Sequence, residues 1–284
     1  MTRPTASFAR PSRGAAALAA AIVTALVTLA PSPAQAQDDP DLDLNLSQPD
    51  FTLITLPTTL RVPRFKSAFR VTHRFTRPLG QGDFGDLAED LFGIDSGAAI
   101  GLEYRFGLMR KLQVGIHRTN DRTIQFFTEY NLWQQRDGRP VGVNAIAFID
   151  GTNNFRDSYS PALGAVVSRE FGDYGAVYFE PIWVNNSNPQ PVELTDEDND
   201  TFMLGLGARI RIRPTVYLVG EVIPRVGFDP NVGHAAFAIE KRAGGHSFQL
   251  NFSNGFGTTL GQLSRGGTSN DDWYLGFQIS RKFF

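Results

Sequence analysis

From Phe65 to the last residue, apolar side chains recur at every second position through stretches of about ten residues, and polar connections interrupt them at regular intervals. A period of two sends alternate side chains to opposite faces of a strand. In 65–77, Phe65, Phe69, Val71 and Phe75 share one face, and Lys66, Arg70, Thr72, Arg74 and Thr76 share the other. Residues 97–107 repeat the plan, with Ile100, Leu102, Tyr104 and Phe106 opposite Glu103 and Arg105; 112–117 follow with Leu112, Val114 and Ile116 opposite Gln113, Gly115 and His117. Further strands are predicted over 122–133, 141–149, 162–169, 175–184, 202–213, 215–223, 235–241, 247–253 and 273–283. In 202–213, Phe202, Leu204, Leu206, Ala208, Ile210 and Ile212 oppose Met203, Gly205, Gly207, Arg209, Arg211 and Arg213.

Connection length alternates independently of hydropathy. Tight links are expected at 107–111, 135–140, 171–173, 213–215 and 242–245, and mostly longer ones at 78–96, 150–161, 185–201, 224–234 and 254–272; the link at 119–121 breaks the rule by being short. About twelve strands, an even number, with tight turns on one side and long loops on the other, describe an all-β, antiparallel, up-and-down transmembrane β-barrel with both termini periplasmic. A secreted β-sandwich would also give many short strands. The clustering of Tyr104, Phe106, Phe126, Tyr130, Trp133, Trp183, Trp273 and Phe283 near strand ends favours the barrel, whose interfaces carry aromatic girdles.

The N-terminus supports export. Arg3, Arg10 and Arg13 precede an apolar run over 15–30, and Ala34-Gln35-Ala36 is a small-x-small cleavage site, so 1–36 reads as a signal peptide. Residues 37–64 are expected to form a flexible periplasmic segment: Asp38, Asp39, Asp41 and Asp43 make its start acidic. Within it, 51–56 are β-prone and stop at Pro57, a lead-in that packs under or into the barrel formed by 65–284. There is no cysteine, which removes disulfides and thiolate metal sites. The net charge of -2 gives no electrostatic footprint for nucleic acid.

The last strand, Trp273-Tyr-Leu-Gly-Phe-Gln-Ile-Ser-Arg-Lys-Phe-Phe284, resembles the C-terminal signal by which outer-membrane proteins are recognised for insertion, with Phe283 and Phe284 as its aromatic end. That resemblance implies barrel-assembly machinery as a partner, alongside outer-membrane lipid. Thr72-His-Arg-Phe75, Phe92-Gly-Ile-Asp-Ser-Gly-Ala98, Leu112-Gln-Val-Gly-Ile-His-Arg118, Ser168-Arg-Glu-Phe-Gly172 and Glu221-Val-Ile-Pro-Arg225 together resemble a family of uncharacterised bacterial outer-membrane β-barrels, a domain of unknown function. The resemblance implies fold and location, and no activity.

Candidate chemistry is sparse. Gly80-Gln-Gly-Asp-Phe-Gly85 matches GxGxxG, but Asp83 and Asp86 would repel phosphate and no βαβ unit surrounds it, so an exposed loop with a short helix over 86–92 is expected. Asp196, Asp198 and Asp200 could approach a divalent cation, yet the EF-hand glycine and glutamate are missing, and a solvated loop is the simpler reading. His117 has inward parity and His73 outward parity among phenylalanines; no GxSxG occurs, which leaves a lipid hydrolase with a Ser/His site as the alternative function. The most suggestive set is the inward one: Lys66, Arg70, Arg74, Glu103, Arg105, His117, Glu129, Arg209, Arg211, Arg213 and Glu221 are candidates to line the lumen. Fixed charge in a confined lumen selects ions, so the expected function is a non-enzymatic passive channel or structural barrel without a cofactor, a small anionic solute being the substrate. A third reading is a barrel that binds a periplasmic or external partner.

Overall fold

The computed structural model of the protein describes residues 45–190 and 199–284. The expected meander is present as a single antiparallel sheet: β1 (Ser67–Phe75), β2 (Ala98–Met109), β3 (Leu112–Thr119), β4 (Ile124–Trp133), β5 (Gly142–Gly151), β6 (Asp157–Glu170), β7 (Gly175–Val184), β8 (Thr201–Arg213), β9 (Val216–Ile223), β10 (Arg225–Val226), β11 (His234–Ala243), β12 (His246–Ser253) and β13 (Tyr274–Lys282). The two-residue β10 only carries the β9 edge past Pro224, so twelve strands form the wall. Each pairs with its sequence neighbour, and β1 pairs with β13 from Ala68↔Lys282 to Arg74↔Gly276, which seals the barrel. Closure is what hydrocarbon demands, since an unpaired edge there has no water to bond.

Side-chain alternation follows the predicted parity. Leu102, Tyr130, Phe179, Leu206, Ile210, Leu218, Ile239 and Leu250 are exposed on the outer face, whereas the chain neighbours Glu103, Glu129, Glu180, Arg209 and Glu240 are buried. A soluble protein does not display such an apolar belt around a charged interior.

The tight turns and the described C-terminus share one end of the barrel, called here the turn end; the longer connections share the loop end. Two connections differ from expectation. The link predicted at 150–161 is short, because β6 starts at Asp157 and only Thr152–Phe155 turn the chain, with Asn153 and Asn154 at φ 50° and 60°. Asparagine tolerates that left-handed region better than most residues. In the 76–97 loop a helix spans Phe84–Glu89, with the Asp83 carboxylate accepting from the Gly85 and Asp86 amides and Asp86 answering to the Asp83 amide. The glycine motif is thus an exposed capped turn. Nearby, hydrogen bonding to the Arg77 guanidinium holds the Asp90 carboxyl below its usual pKa.

The segment 37–64, expected to be flexible, is corrected where it is described. Residues 47–59 are all buried, and the chain from 45 to 64 forms a finger that enters the barrel at the turn end and returns to it. Asn45, Ser47 and Gln48 bond to Glu170 near the end of β6, and Val62 and Pro63 lie against Gly107 near the end of β2. The apolar triplet Leu53, Ile54 and Leu56 cannot stay in water without loss, and the lumen is the nearest place to bury it.

Leu102 lies at mid-strand on the lipid face. Replacing it with arginine should lower folding stability in phospholipid vesicles by about 2–4 kcal/mol, read from denaturant titration; Leu102→Ile should leave it nearly unchanged.

Candidate functional site in the barrel lumen

The finger is a hairpin with a tip at Leu53 to Leu56. The Leu53 amide donates to the Leu56 carbonyl (2.8 Å), the Thr58 amide to the Phe51 carbonyl (2.9 Å), and Thr52 and Pro57 form an antiparallel bridge. In a tight hairpin the Leu56 amide would answer to the Leu53 carbonyl. Here both groups turn to the wall. The Leu56 amide donates to Glu221 Oε2 (3.1 Å), as do those of Ile54 (3.1 Å) and Thr55 (2.9 Å), so one carboxylate gathers three consecutive N–H groups. The Leu53 carbonyl accepts from Gln249 Nε2 (2.9 Å) and Gln278 Nε2 (3.3 Å). Arg70 donates to the Ile54 carbonyl (3.0 Å) and Thr52 Oγ1 (3.1 Å), and Arg209 to the Thr52 carbonyl (2.7 Å). Hydrogen bonds to charged groups contribute about 1.5–3 kcal/mol each, and an unpaired buried amide is costly.

Inward glycines shape the seat. A Cβ at Gly207 would lie 2.2 Å from Leu53 Cδ1, and one at Gly205 2.8 Å from Leu56 Cδ2, so both leucines occupy hollows that only glycine leaves. Around them Tyr178, Ile182, Met203, Tyr217 and Val219 complete an apolar cluster. Lower on the finger, Thr59 Oγ1 and Ser168 Oγ are 2.5 Å apart, and Tyr178 donates to Gln48 Oε1 (3.1 Å).

The charged groups beside the finger form a network. Glu103 pairs with both Arg70 and Arg105, Arg105 Nη1 reaches Glu129 Oε2 (3.3 Å), and Glu129 accepts from Gln113 and Asn144. On the opposite wall Arg209 pairs with Glu240 (2.8 Å). Buried charges of this kind require partners, and most have them. Glu180 is the exception: it is 0% exposed, and neither carboxylate oxygen has a hydrogen-bond partner among the described residues.

The loop end is filled as well. The 254–273 connection folds inward; its Leu260–Leu263 turn buries Leu260 and Leu263, and Thr259 Oγ1 donates to Asp150 Oδ2 (2.6 Å). Arg74 joins the two inserts, donating from Nη2 to Thr55 Oγ1 (2.6 Å) and from Nη1 to the Gly255 (3.2 Å) and Gly257 (2.5 Å) carbonyls. Between finger and loop, bounded by Arg70, Glu103, Arg105 and His117, a cavity of about 10 Å³ remains, room for about one water molecule.

Arg70, Arg74, Glu103, Arg105, His117, Glu129, Arg209 and Glu221 lie buried inside the barrel. Lys66, Arg211 and Arg213 do not. Lys66 sits half-buried in the turn before β1, Arg211 donates to the Pro214 carbonyl (3.3 Å) at the rim, and Arg213 is exposed, because the β8–β9 ladder shifts register there as it closes into its turn. Phe283 and Phe284 are exposed at the turn end, the Phe283 amide donating to the Ser67 carbonyl (2.9 Å). His73 stacks on Phe277 at 4.9 Å on the lipid side. Asp200 is exposed and accepts from Asn185 (2.7 Å), while Asp196 and Asp198 lie outside the described residues. The sequence placed 51–56 under or in the barrel but carries no sign of which wall partners hold the finger, Gln249, Gln278, Ser168 and Tyr178. Inward parity alone could have found the glutamines, but nothing local says what they bond.

A family described as a membrane bound beta barrel domain (DUF5777) matches residues 50–283. The chain belongs to this family. Its match takes in the finger from Asp50 onward as well as the wall. Among solved structures, the fold is similar to that of the NanC porin, with a TM-score of 0.53, 7% identity, and 76% of this chain and 100% of that chain covered. Weaker likenesses reach Escherichia coli outer membrane phospholipase A (TM-score 0.39, 11% identity, 81% and 97% covered) and Pseudomonas aeruginosa OccK3 (TM-score 0.33, 13% identity, 66% and 57% covered). No curated protein matches the chain. As a member of DUF5777 with a porin-like barrel, the protein belongs to the bacterial outer membrane.

Gly207→Val should push Leu53 from its hollow and loosen the finger. Trypsin should then cut at Arg61 and Arg64 at least several-fold faster, while the barrel keeps its heat-dependent gel mobility.

Proposed function

We propose that this protein is a small-solute channel of the outer membrane whose lumen is closed from the turn end by its own N-terminal finger and from the loop end by the inward 254–273 connection. The observation that carries the reading is the kind of interior the finger fills. Wall side chains alone would not close it: Gly205 and Gly207 hold space for two leucines that do not come from the wall. Without the finger, Arg70, Arg74 and Arg209 would face Glu180, Glu221 and Glu240 across a twelve-stranded lumen, which is intermediate in width between packed small barrels and open porins. Such a lining would pass small polar or charged solutes.

The finger's attachment favours a removable stopper. Among the described residues it is joined covalently to the wall through residues 64–66 alone, its other holds are non-covalent, and it enters from the end at which a periplasmic segment would arrive. The hydrolase alternative has less support, because His117 is buried inside the lumen beside Glu103, Thr72 and Thr258, and the wall separates it from lipid.

In planar bilayers the full-length protein should be nearly silent. Glu221→Gln, which removes part of the carboxylate that gathers the tip amides, should give frequent discrete conductance steps. Because the chain has no cysteine, the pair Thr59→Cys and Ser168→Cys introduced into that variant should form a single disulfide that silences it until reductant is added. Because the inward 254–273 connection fills the loop end, the decisive variant lacks 45–64 and carries a short turn in place of 255–271; silence of that variant together with Glu221→Gln would remove the channel reading.

A further inference from the structure

The wall grips the finger tip mainly by its main chain. Glu221 takes the amides of Ile54, Thr55 and Leu56; Arg70, Arg209 and the pair Gln249 and Gln278 take the carbonyls of Ile54, Thr52 and Leu53. These groups are common to every peptide. Side chains of the tip add two hydroxyl contacts, Thr52 with Arg70 and Thr55 with Arg74, and two leucines in hollows at Gly205 and Gly207 that accept aliphatic branches. From this we propose that the same lumen groups form a binding site for short, aliphatic-rich peptides, with the finger acting as a tethered surrogate of the solute. The assignment rests on the channel reading above and names the class of solute that reading leaves open.

The chemistry separates this class from others. A sugar offers hydroxyls, which do not place three adjacent donors on one carboxylate in the way successive amides do. A simple anion would meet Arg70 and Arg209 but would be repelled by Glu221, Glu180 and Glu240. A peptide satisfies both sets at once, accepting from the arginines and glutamines and donating to Glu221. It also leaves aliphatic side chains to fill the two hollows. Competition between solute and finger follows, because both need the same wall groups.

The test keeps the full chain and allows it to fold first. A specific protease site is inserted at the exposed turn between Arg64 and Phe65, the folded protein is cut in detergent, and release of the fluorescently labelled finger is followed. Trileucine and the hexapeptide Thr-Leu-Ile-Thr-Leu-Pro, which copies 52–57, are expected to displace the finger, whereas maltotriose and acetate are not. Glu221→Gln should weaken direct binding of both peptides by about tenfold, the loss expected from removing one charged hydrogen bond. Failure of both peptides to displace the finger, or displacement by maltotriose at the same concentration, overturns the assignment. Conductance of the cut protein separates the two readings. A conducting barrel that neither peptide occludes ends the peptide assignment and leaves the channel, while a silent barrel that binds both peptides ends the channel and leaves the site.

Discussion

A wall that faces hydrocarbon has to satisfy every backbone amide and carbonyl within itself, and this constraint governs the rest of the molecule. It forces the twelve strands into one closed ladder sealed between β1 and β13. Closure in turn forces alternation, with Leu102, Leu206 and Ile239 outward and Glu103, Arg209 and Glu240 inward. The inward set then needs partners, because buried charges and amides without them are costly. Wall-to-wall pairs such as Arg209 with Glu240 meet part of that need, and the finger meets much of the remainder.

The finger and the inward loop solve one problem from two ends. Each brings backbone groups into a space whose walls present side-chain donors and acceptors in excess. Glu221 is satisfied by three amides that the hairpin does not use internally, and Arg74 is satisfied by a threonine of the finger and two carbonyls of the loop. Neither insert resembles a fixed part of the wall, for neither adds a strand to the ladder. An interior completed by a tethered segment can be emptied without breaking the barrel, which is the physical basis for reading it as a stopper.

The wall was legible in the sequence because strand parity is a local property. From 65 to 284 the alternation located every wall strand and assigned Arg70, Glu103, His117, Glu129 and Glu221 to the inside. Misplacement came at strand ends, where Arg211 and Arg213 keep inward parity but a register shift and a turn carry them to the rim. The finger was harder. Acidic residues and prolines in 37–64 resemble a mobile tail, and many of the contacts that order it are 100 or more positions away in the chain, Leu56 with Glu221 and Thr59 with Ser168 among them. The apolar inner wall near Ile182, Met203 and Tyr217 departs from the polar lumen that parity suggests, and runs such as Ala145 to Ile149, apolar on both faces, are the visible sign that part of the interior is apolar.

The central claim is that the finger is lodged in the lumen with its tip amides on Glu221. Amide hydrogen exchange of the folded protein in lipid nanodiscs tests it most directly. Protection of Ile54, Thr55 and Leu56 approaching that of the wall strands is the result this structure requires. Exchange of those three amides at the rate of a free peptide, with the wall still protected, would contradict it.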